Sequence, residues 1–154
     1  MNNELMEMFN ETTLLGLKIT SDLSWKKNTE HCVSKANTRM QIIRSLIKFS
    51  VPIDDLVLLY CQFVRTILEF NSNVWFSAIT KDEEDDLERI QKTACKLILN
   101  RNYHSYEDAI NKLNIEKLSN RRQKLALKFA KGCVQLKQMK ELFEESNQNF
   151  HDTR

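Results

Sequence analysis

Two pairs of adjacent aspartates are the residues in this sequence best suited to hold catalytic metal ions. Enzymes that transfer or hydrolyse phosphate groups bind ions such as Mg²⁺ with carboxylates that converge on one point. Asp54-Asp55 opens an apolar helical pattern, so helix capping explains this pair. Asp85-Asp86 lies in an acidic run at the start of another helical pattern, where the helix macrodipole favours carboxylates. Neither pair follows an apolar strand, and we therefore predict no catalytic metal centre and no cofactor for this chain.

The other residue types that commonly carry chemistry show no informative spacing. The histidines have no serine or cysteine partner in an arrangement typical of nucleophilic catalysis; they are His31, His104 and His151. The two glycines, Gly16 and Gly132, cannot form a Gly-rich phosphate loop. No two of the four cysteines form a C-x-x-C pair, which favours free thiols in a reducing compartment. We expect no active site and no small-molecule substrate.

Five basic residues near the end of the chain repeat at helical spacing. Offsets of 0, 4, 7, 11 and 14 residues place them within about 80° of one another on a helix; they are Lys117, Arg121, Lys124, Lys128 and Lys131. The surrounding residues 89–140 carry thirteen basic and three acidic side chains. Such a basic stripe is typical of contact with a nucleic-acid backbone, which is independent of base sequence and weakened by salt. The alternative is a solvated face, or one paired with the acidic run at 82–86.

The spacing of apolar residues predicts a mainly α-helical fold. Only two glycines and one proline are present, and tight β-turns require both residue types. Apolar residues instead recur at intervals of three and four. They predict a bundle of about five helices, at 25–49, 54–71, 81–100, 106–113 and 117–140. The second helix is the most apolar and should be central, with one stripe formed by Leu56, Leu59, Tyr60, Phe63, Ile67 and Phe70.

A short apolar segment at 14–19 is predicted to form one extended strand ahead of the helices. A single strand leaves its backbone hydrogen bonds unmade, which indicates that a partner element belongs upstream. We expect a single helical domain at 13–140 with tails at 1–12 and 141–154, and both tryptophans in the core. No signal peptide or membrane span is visible. We therefore expect an intracellular protein, nuclear or cytoplasmic, with no membrane partner.

Several motifs, in order along the chain, resemble one known protein family. Leu14-Leu15-Gly16-Leu17-Lys18-Ile19 with Asp22-Leu23-Ser24-Trp25 is similar to its Y-L-G-V-x-I … L-x-W stretch, and Lys35-Ala36-Asn37 to its K-A-x element. Leu59-Tyr60, Phe63-Val64-Arg65, Leu68-Glu69-Phe70 and Val74-Trp75 resemble L-Y … V-R-P-x-L-E-Y … V-W. Leu87-Glu88-Arg89-Ile90-Gln91 resembles L-E-x-[VI]-Q. Tyr106, Leu113, Leu118, Arg121-Arg122 and Leu125 resemble Y … L … L-x-x-R-R-x-x-L.

Over residues 13–130 these motifs resemble the region after the palm of reverse transcriptases from non-LTR (LINE-type, jockey-like) retrotransposons. The resemblance implies the thumb and following helices, which would contact an RNA or DNA template–primer duplex through its backbone. In that family the aromatic-x-Asp-Asp motif, with its Mg²⁺, lies in an upstream palm. The resemblance thus implies a fragment of an RNA-directed DNA polymerase that lacks nucleotidyl transfer by itself and whose partner is a palm and fingers module. The chain departs from the family pattern at Leu15, Thr66 and Phe70.

Two other functions fit the sequence. The chain could be a helical protein-interaction module that uses the surface of the first strand, at Leu14, Leu17 and Ile19. It could instead be a truncated element copy without function, whose apolar strand favours aggregation. If the chain binds nucleic acid and this binding weakens with added salt, the reverse transcriptase fragment is favoured over these two alternatives.

Overall fold

The computed structural model describes residues 10–136, and this part of the chain is mainly α-helical, as predicted. Two strands come first, β1 at Glu11–Leu14 and β2 at Leu17–Thr20. The helices are α1 Lys26–Ile47, α2 Ile53–Leu59, α3 Thr66–Leu68, α4 Ser72–Trp75, α5 Lys81–Leu99, α6 Tyr106–Lys112 and α7 Leu118–Gln135. A π-helical turn at Tyr60–Arg65 joins α2 to α3, and 3₁₀ turns at Phe76–Ala78 and Asn100–Asn102 follow α4 and α5. Residues 1–9 of the predicted tail at 1–12, and all of the predicted tail at 141–154, lie outside the described residues.

The two strands form an antiparallel hairpin. The prediction of a single strand at 14–19 was wrong: the partner that was expected upstream is strand β1 of the same chain, and residues 11 and 12 of the predicted tail belong to it. Strand β1 supplies the missing ladder partner, although all of its side chains are exposed. The outer edge of β2 is held as well, because the Lys18 N–H donates to Asn28 Oδ1 of α1 at 3.2 Å. The hairpin is therefore tied to the first helix.

The turn of the hairpin explains the position of one of the two glycines. Leu15 and Gly16 have φ values of 48° and 83°, the left-handed pair that matches the twist of the flanking strands. A Cβ at Gly16 would lie only 3.1 Å from Phe70 Cε1, so the turn packs directly against the segment after α3. A glycine is required there both for its backbone conformation and for the close approach.

The hydrophobic core is built mainly from α1, the α2–α3 helix and α5. Helix α1 contributes residues at intervals of four and three, namely Cys32, Ala36, Met40 and Ile43. Trp75 is fully buried and its indole Nε1 donates to the Phe70 carbonyl oxygen at 2.9 Å. Trp25 is half-buried against the same core. Both tryptophans thus pack as the sequence predicted.

The π-helical turn decides which side of the second helix faces the core. Buried positions recur every four residues, at Leu56, Tyr60, Val64 and Leu68. A regular α-helix has 3.6 residues per turn, so a four-residue repeat would rotate away from the core; the wider π turn absorbs this drift. Phe63 and Phe70, which the sequence assigned to the buried stripe, are consequently 48% and 47% exposed. That part of the prediction was wrong, and α3 also ends earlier than the predicted residue 71.

The last two long helices have well-defined ends. Helix α5 begins with a capping box, in which the Thr80 hydroxyl accepts from the Glu83 N–H and the Glu83 carboxylate accepts from the Thr80 N–H. Helix α7 ends at Gln135, and Leu136 already has extended backbone, at φ −77° and ψ 120°. The predicted helix at 117–140 was therefore too long. Only Leu118, Arg122 and Cys133 of α7 are buried.

Candidate nucleic-acid interface

The five predicted cations are placed on α7 or just before it. Lys117 is the N-cap residue of the helix and the other four lie within it. They do not form one open stripe, because three of them contact carboxylates from other parts of the domain. The three pairs are Lys117 with Glu107, Arg121 with Glu69, and Lys124 with Glu116.

Arg121 makes the strongest of these contacts. Its Nε and NH2 atoms donate to the two carboxylate oxygens of Glu69 at 2.6 and 3.2 Å, a bidentate geometry. The Glu69 side chain is 10% exposed and that of Arg121 is 29% exposed. The hydrogen bond that Arg121 donates to Glu69 raises the pKa of Arg121 above its ordinary value. Arg121 therefore links α7 to the segment after α3 and is largely unavailable to an external anion.

Lys117 and Lys124 are held more loosely. The Lys117 Nζ lies 3.3 Å from Glu107 Oε1 and 5.9 Å from the centre of the Tyr106 ring. A hydrogen bond from the backbone of Glu107, and then the bond from Lys117, lowers the pKa of the Glu107 carboxyl. The Lys124 Nζ lies 2.6 Å from Glu116 Oε1, but its side chain remains 70% exposed. Exposed pairs of this kind contribute little to stability and can exchange for a phosphate.

Lys128 and Lys131 are the open cations of the stripe. Within residues 10–136, no carboxylate lies within ion-pairing distance of either ammonium group, and both side chains are exposed. The acidic run at 82–86 does not cover the stripe. It pairs with Lys81 and Arg89, its neighbours on α5.

The side chain of Arg122, next to Arg121 in the sequence, points into the core instead. Its side chain is completely buried, and none of its three guanidinium nitrogens has a hydrogen-bond partner in the part of the chain that the structure describes. The nearest carboxylate oxygen, Glu84 Oε1, is 3.8 Å from NH2, an ionic contact that is too long for a hydrogen bond. Burial lowers the pKa of Arg122, and the charges of Glu88 and Glu84 oppose that change.

Arg122 lies among buried polar residues from four helical segments, which we call the buried polar cluster: Tyr60, Glu88, Gln91, Tyr106 and Arg122. The Tyr60 hydroxyl donates to Gln91 Oε1 at 2.7 Å. Gln91 Nε2 donates to the Tyr106 hydroxyl at 2.7 Å and to the Glu116 carbonyl oxygen at 2.9 Å. The Tyr106 hydroxyl in turn donates to Glu88 Oε1, which also accepts from the Leu118 N–H at 3.3 Å. Burial, followed by the bond to Glu88, raises the pKa of Tyr106. The cluster joins the π turn, α5, α6 and α7.

The sequence contained a signal for this cluster that charge analysis missed. On a helix at about 100° per residue, Gln91 falls between Ile98 and Cys95 on the apolar face of α5. A polar residue at a core position requires buried partners. The identity of those partners does not follow from spacing, because Tyr60 and Gln91 are 31 residues apart.

A second group of basic side chains, also missed from the sequence, lies on α1. His31, Lys35 and Arg39 are four residues apart, so they share one side of the helix. Lys35 and Arg39 are exposed, and no carboxylate of residues 10–136 pairs with them. His31 and Lys35 also border a groove of about 270 Å³ that Gly16 and Phe70 line on its other side.

The aspartate pairs do not assemble a metal site in the described residues. Asp54 and Asp55 lie in the first turn of α2, but the capping prediction was wrong, because the N-cap residue is Pro52 and no side chain caps this helix. Their carboxylates lie instead where the helix macrodipole favours negative charge. Asp85 and Asp86 pair with Lys81 at 3.1 Å and with Arg89 at 2.7 Å. Among residues 10–136, no three His, Cys, Asp or Glu side chains are grouped so that they could hold a metal ion.

Comparisons with known proteins add no family to this description. No protein-family model matches the chain, and neither curated proteins nor solved structures give a significant match. The helices of residues 10–136 also lack a stretch with the length and hydrophobicity that crossing a bilayer requires.

Proposed function

We propose that this chain is the helical region that follows the palm of a non-LTR retrotransposon reverse transcriptase, and that it contacts nucleic acid without catalysing nucleotidyl transfer. One observation carries the proposal. Six polar residues of the family-like motifs, which are scattered through the sequence, bind one another in the fold: Tyr60, Glu69, Glu88, Gln91, Tyr106 and Arg121.

The motifs meet in two places. In the buried polar cluster, hydrogen bonds link Tyr60, Glu88, Gln91 and Tyr106, which come from three separate motifs. Glu69 and Arg121, from two of the same pieces, form the bidentate ion pair. Isolated chance matches have no reason to select residues that bind one another. The contacts therefore support a common origin for the motifs.

The open cations favour binding to the nucleic-acid backbone. Lys128 and Lys131 on α7 have no carboxylate partner within the described residues, and Lys124 is 70% exposed beside Glu116. These three residues are the part of the predicted stripe within α7 that can neutralise phosphates. Arg121 serves mainly within the domain, because the nearly buried Glu69 occupies it. Lys117 lies just before α7, and its exposed pair with Glu107 can exchange for a phosphate.

Fluorescence anisotropy with a labelled RNA–DNA hybrid tests this function. The full chain is titrated at several salt concentrations, and the logarithm of the association constant is plotted against that of the salt. Each neutralised phosphate contributes about 0.9 to the slope for duplex DNA. Replacing Lys128 and Lys131 by glutamate should remove their phosphate contacts and reduce the slope by about 2.

A matched control carries the same change of charge on another surface. Lys26→Glu with Lys27→Glu alters two exposed residues at the start of α1, where Lys26 borders a groove that Asp82, Glu83 and Asp86 also line. This variant should keep the slope of the unmodified chain. Equal slopes for the unmodified chain and the Lys128/Lys131 variant would refute the α7 interface. Primer extension by the purified chain would refute the absence of catalysis.

The protein-interaction alternative has one observation in its favour. At the hairpin turn Leu14 and Leu15 are 58% and 83% exposed, whereas Leu17 is only 6% exposed and belongs to the core. The surface predicted from Leu14, Leu17 and Ile19 is thus reduced to the turn. A partner protein that binds there should lose affinity for a Leu14→Ser variant whose nucleic-acid binding is unchanged.

A further inference from the structure

The groove between α1 and the end of the α2–α3 helix, which we call the α1 groove, combines an exposed aromatic ring with positive charge. Its volume is about 270 Å³, and most of its surface is apolar. His31 and Lys35 border it on the α1 side, and Thr66 and Phe70 lie opposite. Among residues 10–136, no carboxylate lines this groove. It therefore suits a ligand that carries both a flat apolar group and a negative charge.

Phe70 is held in place through both its ring and its backbone. Its Cε1 atom lies 3.1 Å from a Cβ built on Gly16, so the hairpin turn packs against the ring. Its carbonyl oxygen accepts the indole N–H of the fully buried Trp75 at 2.9 Å. Phe70 nevertheless remains 47% exposed. A ring that is already fixed loses little conformational entropy when a flat ligand stacks on it.

A second exposed ring extends the α1 groove along the same two helices. A short connection joins α1 to α2, so these helices run antiparallel. Phe63 precedes Ile67 by about one turn of the α2–α3 helix and is 48% exposed. Arg39 follows Lys35 by one turn of α1 and is exposed as well. Both side chains thus lie beyond the groove in the same direction, with the aromatic ring on one helix and the cation on the other.

The cations on α1 are spaced to follow a chain of phosphates. Lys35 and Arg39 are separated by about 6 Å along the helix axis. Successive phosphates of an extended single strand have a similar separation. No carboxylate of residues 10–136 pairs with either cation. His31, one turn before Lys35, can donate a further hydrogen bond.

The combination of rings and cations favours one kind of anionic partner. An acidic peptide would satisfy the cations but would have no particular use for exposed aromatic rings. A nucleic-acid duplex offers phosphates, but its bases are stacked on one another. An unpaired strand offers both phosphates and free base faces, and proteins bind such strands with a positively charged surface and aromatic side chains.

We propose that the α1 groove binds an unpaired strand of RNA or DNA. Bases stack on Phe70 and Phe63, and Lys35 and Arg39 contact the phosphates between them. This site deepens the proposed function, because it names a single strand as a partner of the domain, but it uses none of the cations on α7.

Fluorescence anisotropy with a labelled oligothymidylate, a strand that does not pair with itself, tests the stacking. Phe70→Leu keeps an apolar side chain but removes the ring, and it should weaken binding about 5- to 150-fold, the effect of losing one stacked base. Phe70→Tyr keeps the ring and should bind as tightly as the unmodified chain. All three proteins should bind equally to a strand of the same length that lacks bases, because only its phosphates remain to be contacted.

The salt dependence of the same binding tests the cations. Lys35→Gln with Arg39→Gln should remove two phosphate contacts and lower the slope by about 1.4, because each phosphate of a single strand contributes about 0.7. The matched control, Lys26→Gln with Lys48→Gln, removes the same charge from exposed positions at the two ends of α1. Both lysines lie on the opposite side of the helix from Lys35, so this variant should keep the slope of the unmodified chain.

The effect of Phe70→Leu should persist when Lys128 and Lys131 are also replaced by glutamate. Its loss in that background would assign the strand to α7 and overturn the proposal. Equal binding of the oligothymidylate by the Phe70→Leu variant and the unmodified chain would overturn it too, as would an equal loss on the strand without bases. Polyglutamate that displaces the strand as well as unlabelled oligothymidylate does would indicate an acidic protein partner instead. None of these results bears on the α7 interface, which the RNA–DNA hybrid tests separately.

Discussion

Replacing Gln91 with leucine tests how strongly the buried polar cluster stabilises the domain. The Gln91 amide is fully buried and uses all of its hydrogen-bonding atoms. Its oxygen accepts from the Tyr60 hydroxyl, and its nitrogen donates to the Tyr106 hydroxyl and to the Glu116 carbonyl oxygen. Leucine has a similar size but can neither donate nor accept.

The expected loss of stability follows from the atoms that remain. The Tyr60 hydroxyl loses its acceptor and the Glu116 carbonyl loses this donor, while Tyr106 keeps its bond to Glu88. A buried polar group left without a partner costs about 1–3 kcal/mol. Greater burial of apolar surface by leucine returns about 1 kcal/mol. With two such groups, we expect the free energy of unfolding to fall by about 1–5 kcal/mol, a large share of the roughly 5–15 kcal/mol typical of a domain.

Urea unfolding followed by circular dichroism measures this change, and a double-mutant cycle assigns it. Tyr60→Phe removes the hydroxyl that Gln91→Leu would leave without an acceptor. The double variant should therefore be less destabilised than the sum of the single variants, by about 1–2 kcal/mol. Gln123→Leu, at an exposed position of α7, is the matched control and should change stability by less than about 0.5 kcal/mol.

Additive losses at Tyr60 and Gln91, within about 0.5 kcal/mol, would refute the direct bond between them. A Gln91→Leu variant as stable as the unmodified chain would refute the wider argument. In that case the cluster would contribute no net stability, and its polar residues could be replaced by apolar ones without loss.

Three further predictions concern other contacts. Leu15→Asn should raise the free energy of unfolding by about 0.5–1 kcal/mol in urea titrations, because asparagine tolerates the left-handed backbone before a glycine better than leucine does; no gain would argue against this turn. Arg121→Gln should lower the free energy of unfolding by about 1–3 kcal/mol, because it leaves the nearly buried Glu69 carboxylate unpaired. The salt dependence of nucleic-acid binding should not change, and a weaker salt dependence would show that Arg121 binds phosphate. Stability should fall as the pH rises above 9.0, because burial raises the pKa of Cys32 to about 11 and of Cys95 to about 12, and the folded chain then keeps protons that the unfolded chain releases. In urea titrations, a variant with alanine at both cysteines should lose less stability over this pH range. An equal loss would mean that other groups cause it.

Apolar periodicity was sufficient to predict most of the helices, because burial is a property of each helix face. The hairpin was different. Strand β1 reads Glu-Thr-Thr-Leu and all of its side chains are exposed, so it has no apolar alternation to detect. Its position depends on the backbone of Leu15 and Gly16, which an isolated Leu-Gly pair does not reveal. The π turn escaped prediction for a similar reason, since a four-residue repeat is also compatible with a wide α-helical stripe.

The basic stripe shows how far spacing can predict a site. Helical geometry does place the cations on neighbouring positions of α7, but it says nothing about their partners. Arg121 and Glu69 are 52 residues apart, and they meet only because α7 packs beside the end of the α2–α3 helix. A count of the basic residues in a segment therefore overestimates how many positive charges can contact an external polyanion.

The two adjacent arginines illustrate why a basic residue in the sequence is not always available to a polyanion. Arg121 and Arg122 point about 100° apart on α7, so one reaches Glu69 near the surface and the other enters the core. Both belong to the same family-like motif, and the fold uses both within the domain. If the chain binds nucleic acid through α7, the contact rests on Lys124, Lys128 and Lys131; the motif leaves position 124 unspecified and ends before the other two. The salt dependence of binding should therefore weaken when Lys128 and Lys131 are replaced and stay the same when Arg121 is replaced. That pair of results would separate the residues of α7 that bind nucleic acid from those that stabilise the fold.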